Sequence, residues 1–254
     1  MNLIVPIKMV PDLVEELVID ASGAQLDPEA LRLKLNELDE HAIEQAILLK
    51  EKGAGQVTIV APDLPDIDDA LFTAAAKGAD RLIKLTGNWG NGVNNHALAR
   101  VMANFIKTLR PELILTGVQA HNDLDGALGP QLAEHLGMAY VGYISGVTLA
   151  NGHVRARKEF PGGLVAEMQV QLPAVLGIQA AEKPLRYVPI SKVRATMKTA
   201  QIETFPAAEL ETAGALLAVR LFQPEAGARA TMLEGDVDAI ATRLVEIFKE
   251  HGVL

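Results

Sequence analysis

With 254 residues, 49% of them hydrophobic, the chain can bury a large core as one domain or one domain with an extension, which excludes disorder as its general state. A formal net charge of -9 argues against nucleic acid or an anionic membrane as the main partner, because phosphate-rich surfaces are bound through clustered Lys and Arg. The absence of cysteine removes disulfides, thiolate nucleophiles and iron–sulfur ligands, so any redox role must come from a bound cofactor.

Leu3 to Val10 reads as a first strand. The N-terminal apolar run is cut too early by Pro6 and Lys8 for a secretory signal, and no apolar run approaches membrane-spanning length. The expectation is a soluble cytoplasmic protein without membrane insertion. Glu16 to Ile19 and Gln25 to Leu26 form a candidate hairpin around Ser22-Gly23. A helix follows over about Asp39 to Lys52, then strand Gln56 to Ala61, helix Asp66 to Lys77, strand Arg81 to Leu85 and helix Asn94 to Leu109, with Asn94 or Asn95 as its cap. Strand Glu112 to Gly117 and helix Asp125 to Leu136 complete the series. Repeated strand–helix crossovers predict an α/β fold with a parallel, doubly wound, Rossmann-like sheet covered on both faces.

Beyond Gly142 the pattern changes. Val147 to Leu149 and His153 to Arg157 flank Ala150-Asn151-Gly152, a hairpin signal, and Val165 to Gln171 alternates before Pro173 to Leu176. These strands predict an antiparallel extension of the sheet, giving a domain over residues 1–180. Residues 181–254 are less periodic and end in a capped amphipathic helix from about Asp236 to His251, with Ile240, Leu244, Ile247 and Phe248 on one face. This extended C-terminal arm suits a partner subunit.

The most informative segment is Gly117 to Gly137, which places polar, glycine-spaced backbone between a strand and a helix. A helix N-terminus there offers unpaired N–H groups and the positive end of a dipole to a phosphate. The segment is neither a Walker A loop nor GxGxxG. Nucleotide binding and an ordinary loop with Asp123 or Asp125 as N-cap both fit these residues. His121 reads as a surface residue, the acidic run Asp63, Asp66, Asp68, Asp69 as a solvated helix start, and no metal or catalytic set emerges.

Several motifs in one order then point to a family. Val5-Pro-Ile-Lys8, Asn36 ahead of Ala42-Ile-Glu-Gln-Ala46, Gly78-Ala-Asp-Arg81, Gly117-Val-Gln-Ala120, Leu172-Pro-Ala-Val175 and Lys183-Pro-Leu-Arg-Tyr187 followed by Ile190 resemble the beta subunit of electron-transfer flavoprotein. The resemblance implies a heterodimer with an alpha subunit holding the electron-carrying FAD, fed by flavin dehydrogenases and discharging to an acceptor such as a quinone oxidoreductase. The beta chain of the common type binds AMP structurally and is an electron carrier without catalytic residues of its own. By position, the family's nucleotide contacts fall on Pro6, Asn36, Leu38, Asp39, Ala61, Pro62 and Ala120 to Gln131, including Asn122, Asp123, Asp125, Gly126, Ala127, Leu128 and Gly129. Asn36 and Asp39 also suit helix caps. Asn122 and Asp123 are candidate base or ribose partners, and the amides around Gly126 to Gly129 candidate phosphate donors.

The segment Glu182 to Met197 resembles the family's recognition loop, with Ile190 in the anchoring position and Tyr187, Lys192 and Val193 beside it. A core position for Ile190 and Val193 is the other reading. The sequence departs from the family at Leu38, where an aromatic is frequent, and at Lys158 to Glu167, which matches only loosely. The electron-bifurcating branch carries a second FAD in the same pocket and binds NADH there; Met9-Val-Pro-Asp12 leans toward it, while Leu124-Asp-Gly-Ala127 departs from it. A free-standing adenine-nucleotide-binding module is the remaining alternative.

Overall fold

The computed structural model describes residues 1–89, 94–207, 218–225, 227 and 230–254. Two compact units emerge, Met1–Leu221 and Phe222–Leu254. Among the described residues of the first unit, nine strands form one sheet. It begins with β1 (Asn2–Pro6), whose Leu3 to Pro6 are buried, consistent with a central parallel strand. The chain then makes β2 (Met9–Pro11), which pairs antiparallel with β3 (Leu33–Leu35) in a separate two-stranded ribbon. After these come α1 (Glu37–Glu51), β4 (Gln56–Pro62), α2 (Ile67–Lys77), β5 (Arg81–Thr86), α3 (Asn95–Ile106), β6 (Leu113–Gly117) and α4 (Leu128–Leu136). The remaining elements are β7 (Ala139–Ala150), β8 (His153–Phe160), β9 (Leu164–Gln171), β10 (Ala174–Ile178), α5 (Ile190–Thr196), β11 (Ile202–Pro206) and, in the second unit, α6 (Val237–Glu250).

The strand order is β11-β5-β4-β1-β6-β10-β7-β8-β9. Every pairing from β11 to β7 is parallel, and β7-β8-β9 is antiparallel. The chain runs from β1 outward through β4 to β5, then returns across α3 to β6 on the other side of β1. That reversal makes the carboxyl ends of β1 and β6 the switch point, where open α/β sheets take their ligands. Side chains of α1 and α2, such as Ile43, Ile47 and Leu71, form one core layer with Leu3 and Ile59, whereas Leu98, Met102 and Leu132 of α3 and α4 form the other with Ile4 and Ile114. The fold is therefore α/β, doubly wound, with an antiparallel extension.

Several elements differ from the sequence reading, each for a local reason. The first strand stops at Pro6 because the Lys8 backbone bonds to the start of α1: its N–H donates to Asp39 and its carbonyl accepts from the Asn36 N–H. The hairpin around Ser22-Gly23 is reduced to a single bridge between Ile19 and Leu26, in a segment of mostly exposed and half-buried residues. Helix α4 begins at Leu128 rather than Asp125, because Gly126 adopts φ +95 and Asp125 serves another helix. The first unit also extends past residue 180, since segment 181–186 bonds to α1 and β11 adds a strand beside β5. In the second unit, Asp236 caps α6 by accepting the Ala239 N–H, and no residue of that helix is buried. No described helix is long and apolar enough to cross a membrane.

Candidate functional site

At the switch point, three segments meet: the end of β1, the start of α1 and the loop after β6. Asn36 occupies the N-cap position of α1, yet its side chain does not cap the helix; Nδ2 instead donates to the Gln119 carbonyl at 3.1 Å. Asp39 sits in the first turn and turns its carboxylate inward. One oxygen accepts the Lys8 N–H at 2.9 Å and the other the Gly117 N–H at 3.0 Å, which ties the helix to both strand ends. Neither residue is a conventional cap. Pro6, Ala61 and Pro62 are buried at the adjoining ends of β1 and β4, where Pro6 pairs with Val60. Leu38 is half-buried.

Burial pushes the Asp39 carboxyl up from 3.8 to about 6, against the pull of the Lys8 amide, the Lys8 charge and the Gly117 amide. A raised folded-state pKa means that the folded protein holds more protons than the unfolded chain between those two values, so this group favours folding most at low pH and less as pH rises. We expect the stability of the wild type relative to Asp39→Asn to fall by roughly 2–3 kcal/mol between about pH 4 and about pH 7, read by urea denaturation across that range. A flat difference would contradict the buried, proton-binding state.

The loop after β6 is braced from within. Ala120 N–H donates to Asp123 at 2.8 Å, while the other Asp123 oxygen receives the Lys8 ammonium and, at 2.7 Å, the Asn95 amide. The Lys8 and Asp123 side chains are 10% and 9% exposed, so this is a buried ion pair. Asn95 also donates to the Gly126 carbonyl at 2.7 Å. Asp125 accepts from the Asn95 and His96 N–H groups, both at 3.2 Å, and so caps α3 alongside Asn94. Asp123 or Asp125 as N-cap of the following helix was one of two sequence readings of this loop; that helix, α4, instead has Ala127 at its N-cap and no side-chain cap.

The uncapped start of α4 leaves a feature of interest for anions. The N–H groups of its first turn have no intrahelical acceptor, and the helix dipole adds to their positive character. Gln131 points its Nε2 at the Asp125 carbonyl at 2.9 Å, and its Oε1 is buried with no partner among the described residues. Leu128 and Gly129 are buried, Ala127 is half-buried, and Asn122 is exposed. The predicted nucleotide residues thus converge on one edge of the sheet. Lys8 and Asn95 were absent from that set and are its internal braces. A lysine directly behind the apolar run Leu3 to Ile7 was the available signal for Lys8; nothing local marks Asn95.

The other predicted features separate cleanly. Lys84 pairs with Asp63 at 3.3 Å and Asp68 at 2.8 Å, and no cluster of three metal-ligating side chains occurs among the described residues. His121 is exposed. A groove of about 470 Å³ lies over β7 to β9, away from the switch point, between Arg155, Arg157, Glu159 and Glu182. Arg157 pairs there with Glu159 at 3.0 Å. In the predicted docking segment, Tyr187 and Ile190 are 87% and 65% exposed and Lys192 is exposed, but Val193, on a helix that packs against α2, is buried. Val193 therefore anchors the segment and is unavailable to a partner.

Residues 25–210 match the family model described as electron transfer flavoprotein domain, which is well over half of the chain. The chain belongs to the electron transfer flavoprotein family. It is 32% identical over 235 residues to "Electron transfer flavoprotein subunit beta" of Syntrophomonas wolfei, covering 92% of this chain and 91% of that protein. It is 28% identical over 262 residues to the protein of the same name from Methylophilus methylotrophus, covering 98% of each. "Protein FixA" of Azorhizobium caulinodans is 28% identical over 273 residues, covering 100% of this chain and 96% of that one. The role of this electron transfer flavoprotein family member is electron transfer, of the beta-subunit kind.

Proposed function

We propose that this chain is the beta subunit of a heterodimeric electron-transfer flavoprotein. It holds AMP structurally at the β1/β6 switch point and, with an alpha subunit, helps pass electrons from flavin dehydrogenases to a downstream acceptor such as a quinone oxidoreductase. The single observation that carries the AMP reading is the uncapped α4 N-terminus beside the unpartnered Gln131 Oε1. Amides of Leu128 and Gly129 suit the phosphate, and the rim of Asn36, Leu38, Ala120, Asn122 and Ala127 suits the nucleoside. Asp39, Asp123 and Asp125 act from behind, by fixing the backbone that lines the site.

No catalytic side chains are required in this chain. FAD, held mainly by the alpha subunit, supplies the redox chemistry when bound, and this chain's contribution is to shape, cover and dry its surroundings. The apolar face of α6, with Leu244 and Phe248 partly exposed, suits packing against the alpha subunit. The branch with a second FAD in place of AMP makes the same use of the switch point but needs room for a further ring system.

Donor docking rests on Ile190, an exposed aliphatic side chain at the first position of α5, flanked by Tyr187 and Lys192. We expect Ile190→Ala in the assembled dimer to lower kcat/KM for a reduced flavin dehydrogenase by about tenfold while leaving bound flavin and nucleotide unchanged. Stopped-flow reduction of the dimer by the dehydrogenase checks this, and an unchanged rate overturns the docking role.

A further inference from the structure

We propose that Arg186 is a positioning residue, which clamps the docking segment to α1 so that Ile190 is presented in a fixed place; this rests on the reading of Ile190 as the donor anchor. The segment from Ala181 to Val188 has no helix or strand hydrogen bonds of its own, so its backbone groups need outside partners. Side chains of α1 supply them. The Ala181 N–H donates to His41 Nδ1 at 3.3 Å, the Glu182 N–H to Gln45 Oε1 at 3.0 Å and the Arg186 N–H to Glu44 Oε2 at 3.3 Å.

The Arg186 side chain closes the clamp. Its Nε donates to both Glu44 oxygens at 2.9 and 3.0 Å, and Nη1 donates to Glu51 Oε1 at 2.7 Å and to the Lys77 carbonyl at 3.4 Å. One guanidinium thus joins the docking segment to the middle of α1, the end of α1 and the end of α2. Glu44 is 2% exposed, a burial that a carboxylate tolerates only when paired. The planar fork matters more than the charge: a lysine in its place offers a single point donor and cannot span Glu44, Glu51 and the Lys77 carbonyl together. Four residues further on, Ile190 stands exposed, and at Val193 the chain is buried again. The docking side chain is held between two fixed points.

The pinning also shortens the list of ordering costs at docking, since a segment already held in place loses less freedom when a partner arrives. Arg186→Lys is the informative variant, because it keeps a cation beside the buried Glu44. Hydrogen exchange of the assembled dimer should show faster exchange at amides 181–192 with the sheet unaffected. The donor KM should rise severalfold with kcat and bound flavin unchanged. In an Ile190→Ala background, Arg186→Lys should add no further rise in KM, because the arginine acts through the position of that side chain. Unaltered exchange, or an Arg186→Lys effect on KM that is undiminished when Ile190 is already alanine, overturns the clamp. Faster exchange together with normal docking by Ile190→Ala alone overturns instead the anchor reading, and the positioning role with it.

Discussion

We expect Gly117→Ala to destabilise the protein by about 3 kcal/mol and to empty the nucleotide site proposed at the β1/β6 switch point. A Cβ at Gly117 would lie 2.5 Å from Asp39 Oδ1, 2.8 Å from the Asp39 nitrogen and 2.8 Å from the Leu38 carbonyl carbon. Two of those three atoms are backbone at the start of α1, so rotating a side chain does not relieve the clash. The helix must retreat from the end of β6 or the strand must bend, and either movement breaks the bonds from Asp39 to the Lys8 and Gly117 amides. Overpacking of this kind costs roughly 1–3 kcal/mol, with the upper end expected where backbone opposes backbone. Urea denaturation gives the stability, and the nucleotide released from the purified dimer gives the occupancy. Wild-type values for both would show that α1 does not need this approach to β6.

Lys8→Met has a comparable cost, about 3 kcal/mol, for a different reason. It leaves the buried Asp123 carboxylate without its cation, with the Asn95 amide and the Ala120 N–H as its remaining donors among the described residues. Breaking one side of a buried pair costs about 3–5 kcal/mol because the remaining charge is stranded, whereas removing both charges is far milder. Lys8→Met/Asp123→Asn therefore recovers most of the loss, since asparagine keeps an acceptor for the Ala120 N–H without the charge. Equal instability of the single and double variants, in the same denaturation experiment, would show that the pair contributes through shape alone.

The parts of this fold that were legible in the sequence are those that local physics determines. Buried parallel strands read as continuous apolar runs, as at Leu3 to Val5 and Leu113 to Leu115, and Asn94 was recognisable as a cap because it accepts the Ala97 N–H three residues on. The parts that were not legible depend on distant partners. Asp125 caps α3, a helix thirty residues earlier in the chain by number, so its absence from the start of α4 has no local sign. Strand β10 inserts between β6 and β7 and pairs parallel with both, an arrangement that hairpin spacing after Gly142 does not reveal. Asn36 and Asp39 had the composition of caps, and only the folded chain shows their side chains reaching Gln119, Lys8 and Gly117 instead. The carboxyl ends of β1 and β6 were legible all the same, because periodicity locates where strands end.

The docking segment shows the same division. Its prolines were visible, and the sequence put Ile190 and Val193 together, both in the docking set or both in a core; that they separate was not visible. The folded chain buries Val193 and exposes Ile190.

The most direct test of the central claim is to co-purify this chain with its candidate alpha subunit, denature the complex and identify the released nucleotides by chromatography and mass spectrometry. One FAD and one AMP per dimer are expected. Two FAD and no AMP would contradict the AMP assignment and move the chain to the bifurcating branch, and release of no AMP and no second flavin would contradict a nucleotide site at the β1/β6 switch point altogether.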